Sequence, residues 1–102
     1  MNTMNYTTTR NEEKNITRHD WTLNGYTLTV AKYENRSNLI TIKAPLDAPE
    51  LCVDDFREAP VVEVNWSAIG SVNSDEARDY AAKIVEAAEV ADQFQDIIDL
   101  LK

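Results

Sequence analysis

An α+β fold is predicted: a three- to four-stranded antiparallel sheet with one long C-terminal helix packed on one face. Three features of the sequence predict it. Asn24-Gly25 sits between two runs that alternate apolar residues with threonines, the pattern of a tight hairpin. All three prolines fall at positions 45, 49 and 60, which separates that hairpin from any later strand. Residues 74–101 hold no glycine or proline and repeat apolar side chains at helical spacing. At 102 residues the chain is expected to form one small domain.

Taken in order, residues 1–18 are mostly Asn, Thr and charges, with Tyr6 and Ile16 as isolated apolar groups. Such a segment is expected to be a flexible arm outside a domain spanning residues 19–102. The hairpin "DWTLNGYTLTVAKY" follows. Asn and Gly supply the two positive-φ positions of a type I′ turn. Trp21, Leu23, Tyr26, Leu28 and Val30 then share one face, and a two-residue loop sets Leu23 opposite Tyr26 and Trp21 opposite Leu28. A polar turn, "ENRSN", leads to a third strand, "LITIK". The proline-rich stretch 44–60 is expected as a long connection holding a short edge strand or a helical turn around Leu51–Phe56. "VVEVNW" alternates again and is expected to be the fourth strand, with Val62, Val64 and Trp66 inward.

The helix is the clearest element. Asn73 is placed to cap it, with Glu76 three residues on. Ala77, Tyr80, Ile84, Ala87, Ala88, Ala91 and Ile98 are expected on the buried face, with Trp66 and Ile84 meeting between sheet and helix. On the opposite side are expected Asp75, Asp79, Glu86, Glu89 and Asp96, with Asp92 and Asp99 flanking.

Charge is the informative quantity. Formal net charge is −8. Residues 1–43 hold six basic and four acidic residues, whereas residues 44–102 hold four basic and fourteen acidic ones. A half-chain this acidic repels nucleic acid and favours basic partners. Within the helix, Asp92, Asp96 and Asp99 stand near a C-terminus that carries partial negative charge and prefers cations. Solubility alone does not call for acids of one sign at that end. The stripe is read either as a solvated face or as a surface for a basic partner. In the second reading Glu86, Glu89, Asp92, Asp96 and Asp99 act together with Asp54, Asp55 and Glu58 of the connection.

Motifs for chemistry are nearly absent. His19 is the sole histidine and has no local partner for base catalysis. Cys52, the sole cysteine, cannot form an internal disulfide and is expected as a small buried apolar residue. Asp54, Asp55 and Glu58 match no calcium-loop spacing. With two glycines in total there is no glycine-rich phosphate loop. No catalytic residue, metal site or cofactor is expected. No apolar run approaches the roughly 18 residues of a membrane span, and the polar N-terminus lacks a signal-peptide core. A cytoplasmic protein is expected.

The stretches "WTLNGYTLTV" and "VEVNWSAIGSVNSDEARDYAAKIVEAAEVAD" resemble small acidic accessory proteins of bacteriophages and prophages. The resemblance covers about half the chain and carries no residue-level activity. It implies a phage-encoded protein acting in a bacterial host. Among such proteins are inhibitors of host defence, including anti-CRISPR proteins that imitate DNA in charge. The expected function is therefore non-enzymatic: inhibition of a host nucleic-acid-handling system through an acidic surface. The expected partner is a basic host protein or nucleoprotein complex such as a CRISPR effector. The alternative is a phage structural or assembly accessory protein acting by homo-oligomerisation, as a homodimer formed through the helix or a sheet edge.

Overall fold

In a computed structural model of the chain, residues 4–54, 60–66 and 70–101 are described. Among them six strands precede one helix: β1 (Asn5–Asn11), β2 (Ile16–Leu23), β3 (Tyr26–Tyr33), β4 (Leu39–Lys43), β5 (Glu50–Asp54), β6 (Val61–Asn65) and α1 (Ser74–Leu100). Strands β1 to β4 form an antiparallel meander in chain order, and β5 pairs with β6 in a second, two-stranded sheet. The α+β class and the long C-terminal helix are as the sequence predicts.

The central hairpin follows its turn chemistry. Asn24 and Gly25 both have positive φ, 51° and 82°, and Leu23 pairs with Tyr26 and Trp21 with Leu28. Because side chains alternate along each strand, the register sorts the four strands into rows. One face carries the rows Tyr6–Trp21–Leu28–Ile42 and Thr8–His19–Val30–Ile40. The other carries Thr7–Asp20–Thr29–Thr41 and Asn5–Thr22–Thr27–Lys43. The first face is the apolar one. Leu23, Tyr26 and Leu28 on it join Leu51 and five helix residues, Ala87, Val90, Ala91, Phe94 and Ile98, in one buried cluster. Tyr26 anchors the connection as well, since its hydroxyl donates to the Pro49 carbonyl at 2.6 Å.

Several expectations are corrected. Residues 5–11 and 16–18, assigned to the arm, lie in β1 and β2, which pair without a break from Asn5–Thr22 to Asn11–Ile16. Asn15, at φ 52°, turns the chain between them. All seven β1 residues are exposed, so no burial alternation marks the strand. The connection does hold a strand, β5. "VVEVN" is a strand but pairs with β5, not with the meander. Val62 packs on the core, whereas Val64 is 39% exposed. Within β5 the alternation turns Leu51 inward and leaves Cys52 exposed, against the expectation of burial.

Helix α1 starts where the cap predicts. The Asn73 side chain accepts from the Glu76 amide at 2.8 Å. The buried face, however, is rotated from the expected one by about 45°, taking 3.6 residues per turn. Val90 and Phe94 are fully buried, while Ala77 and Ala88 are exposed and Ile84 is 38% exposed. From residue 74 to 86 only Tyr80 is partly covered. It meets Trp66 edge-on, with ring centroids 4.8 Å apart. The apolar stripe continues along the helix, but the core lies under its second half alone.

Candidate functional site

The surface opposite the buried helix face is acidic. At about 100° per residue, Glu89, Asp92, Asp96 and Asp99 fall within one sector. It lies directly away from Phe94 and Ile98. All four are exposed. Among the described residues, the ion pairs are Arg10–Glu12, Arg18–Asp20 and Arg78–Asp75; none involves these four carboxylates or Glu86. The last turn of α1 contains no basic residue. Among the described residues, the acids closest to the helix end therefore meet the dipole without a basic neighbour; Lys102 lies outside the described residues.

Of the residues assigned to the stripe, Glu86 stands apart. It sits at the helix flank, beside a shallow cleft lined also by Tyr26, Lys83 and residues 45–48. Burial, with the negative charge of Glu86 second, raises the Tyr26 phenol above its ordinary value. Asp75 and Asp79 are exposed in the first two turns, where the dipole favours them. Asp54 ends β5 opposite Val61. Asp55 and Glu58, also assigned to the partner surface, lie outside the described residues.

Gln95 is the residue that sequence reasoning missed. Its side-chain oxygen accepts from the Val62 amide at 2.8 Å, and its nitrogen donates to the Pro60 carbonyl at 2.9 Å. The side-chain amide thus stands in for a strand peptide along the free edge of β6. The same nitrogen reaches Asp99 Oδ1 at 3.1 Å, so one acid of the stripe is tied through Gln95 to the sheet. The available signal was its position, an uncharged polar residue between the apolar and acidic faces.

A second polar group lies on the apolar face of the sheet. His19 Nδ1 is 2.6 Å from the Tyr6 hydroxyl, and Thr8 Oγ1 donates to that hydroxyl at 2.7 Å. Tyr6, His19 and Trp21 form a cluster of rings with centroids 5.0 to 6.0 Å apart, Tyr6 and His19 stacked at 8° and Trp21 tilted to them by 35° and 28°. His19 is held as a packing residue here. Among the described residues, no three His, Cys, Asp or Glu side chains converge in a metal-binding arrangement. None of their helices is long and apolar enough to cross a membrane. The cleft between Met4, Leu23, Asn24 and Glu89, Val90, Gln93 measures about 300 Å³, and a second, lined by residues 42–48 and 50–52, about 540 Å³. No protein-family model, curated protein or solved structure matches the chain.

Proposed function

We propose that this chain is a non-enzymatic binding protein whose acidic helix face engages a basic protein surface. One observation carries the reading. Glu89, Asp92, Asp96 and Asp99 share one exposed sector and are free of ion pairs among the described residues, and Asp96 and Asp99 stand at a helix end that disfavours acids. A face kept for solubility alone is more stable with mixed signs. The finer reading rests on the resemblance of the hairpin and helix stretches. In it the protein is phage-encoded and inhibits a host nucleic-acid-handling defence system, anti-CRISPR fashion, in the bacterial cytoplasm. Acids one helical turn apart are spaced by about 5.4 Å, against about 3.4 Å per phosphate along one DNA strand. The stripe is thus a sparse contact surface for basic side chains, not a full replica of a DNA strand.

A second reading, an assembly accessory protein acting by homo-oligomerisation, draws on the uncovered half of α1. Ile84 is 38% and Val85 58% exposed there. The two readings separate on salt. The tagged chain is used to capture its partner from a bacterial lysate, and the partner is identified by mass spectrometry and purified. Its affinity for the chain is then measured from low to high salt. Replacing Asp92, Asp96 and Asp99 together by Asn weakens binding and flattens its salt dependence. Undiminished binding by the variant at every salt concentration would leave the stripe as a solvated face.

A further inference from the structure

We propose that the outer edge of β1 pairs with the β1 of a second copy of this chain, antiparallel about a two-fold axis through Thr8. The inference goes beyond the acidic face and uses none of its residues.

The two ends of the strand system differ. At one end, β4 lies beside β5, β5 pairs with β6, and β6 is covered by α1. There the Gln95 side chain occupies the Val62 amide and the Pro60 carbonyl. At the other end, β1 is paired on one side only among the described residues. An uncovered strand edge is a template for another strand, and monomeric proteins blunt such edges with proline, lysine, bulges or very short strands. β1 has none of these. It runs for seven residues, NYTTTRN, in unbroken register with β2, and all seven are exposed.

The sequence of that edge is complementary to itself. A two-fold axis at Thr8 sets Thr8 opposite Thr8, Thr7 opposite Thr9, Tyr6 opposite Arg10 and Asn5 opposite Asn11. All seven residues are used, each facing a partner on the same side of the sheet, as an isologous interface requires. Threonine pairs are favourable cross-strand neighbours. Arg10 is the single charged residue of β1, so no like charges meet. Its guanidinium is held within its own copy by Thr17, Asn15 and Glu12, so it comes opposite the half-exposed ring of Tyr6 with its charge already compensated. Tyr6, His19 and Trp21 then form clusters of aromatic rings that meet across the axis. The helix makes its main strand contacts with β5 and β6, and of its acidic stripe Glu89 approaches the start of β1, across the cleft it shares with Met4. A second copy is repelled less at β1 than at an interface along a helix bearing eight acids and two bases from residue 75 to 99.

Seven strand residues per copy bury less than a standard interface, so a reversible dimer with a dissociation constant of about 1–100 μM is expected. Sedimentation equilibrium on the full chain is expected to show that dimer. Thr8→Lys places two lysines opposite each other and raises the dissociation constant at least about fivefold, with an unchanged circular dichroism spectrum. A second variant works without relying on that substitution. In a Cys52→Ser background, mild oxidation of Thr8→Cys gives a covalent dimer, whereas Ile84→Cys does not. Three results would overturn the proposal: a monomer up to about 1 mM, a Thr8→Lys dimer as tight as the parent, or cross-linking at Ile84→Cys and not at Thr8→Cys. These measurements use the isolated protein, so their failure is distinct from a failure of partner binding by the acidic face.

Discussion

Replacing Asp92, Asp96 and Asp99 by Asn is expected to stabilise the isolated protein, and the structure sets the size of the gain. Helix α1 ends at Leu100 with no basic residue in its last turn. Dipole repulsion is concentrated in the last turn, at about 0.3–1 kcal/mol per acid at low salt. Asp99 carries that penalty in full, Asp96 carries its lower end, and Asp92 is too far upstream. Three like-charge contacts are relieved as well: Glu89–Asp92, Asp92–Asp96 and Asp96–Asp99, each worth about 0.2–0.5 kcal/mol. The contact between Gln95 and residue 99 survives, because Asn retains the accepting oxygen that Asp99 presents at 3.1 Å. The net gain is about 1–3 kcal/mol. For a domain of this size that raises Tm by roughly 5–20 °C. Thermal melts followed by circular dichroism at low salt and near 1 M salt provide the assay. At about 1 M the Debye length is about 3 Å, shorter than one helical turn, so the gain fades. An unchanged Tm at low salt, or a gain that persists undiminished at high salt, would refute the electrostatic account of this helix end. Combined with weaker partner binding, the gain identifies these acids as residues retained for function at the expense of stability.

Other perturbations follow from the core and the turns. Gly25→Val is expected to destabilise by roughly 1–3 kcal/mol, because φ is 82° there and an added Cβ meets the Pro45 side chain at 3.2 Å; an unchanged urea midpoint would place the strain elsewhere. Phe94→Ala, at a fully buried site, is expected to cost about 3–5 kcal/mol, and Ile84→Ala only about 1 kcal/mol or less; equal losses in chemical denaturation would contradict the observed helix face. Tyr26→Phe removes the hydroxyl that donates to Pro49 and is expected to cost about 1 kcal/mol at neutral pH. The Tyr26 pKa is raised above 10.0 by burial and then by Glu86. Its contribution is complete below that pH and is lost as pH climbs through the higher folded value. The variant therefore loses less stability than the parent above pH 10, and parallel stability–pH curves would contradict this.

The parts of the fold that were legible in the sequence are those where a local residue choice dictates geometry. Asn24-Gly25 fixed a turn and, with it, the register of β2 on β3. Asn73 and Glu76 marked the start of α1. β1 was not legible, because every one of its residues is exposed and its pairing leaves no apolar alternation to read. Its signals were the β-branched run Thr7-Thr8-Thr9 and a turn closed by Asn15 at positive φ. The helix face was misjudged because the alanines and Ile84 extend an apolar stripe along the whole helix. The core is set by where the sheet ends, which depends on contacts distant in sequence. In the acidic surface, Glu89, Asp92, Asp96 and Asp99 were legible from spacing alone. Glu86 was misplaced by the same rotation, and Gln95 stayed hidden because its role depends on β6.

The uneven cover of α1 divides one continuous helix into regions under different evolutionary constraint. Between Ala87 and Ile98 most substitutions on the sheet side act on folding first, because the buried cluster is there. Between Ser74 and Glu86, thirteen residues rest on the Asn73 cap and the Trp66–Tyr80 contact and bury nothing fully. Sequence in that stretch can drift widely while the domain stays folded. Substitutions can thus accumulate in the first three turns of the helix without any rebuilding of its core.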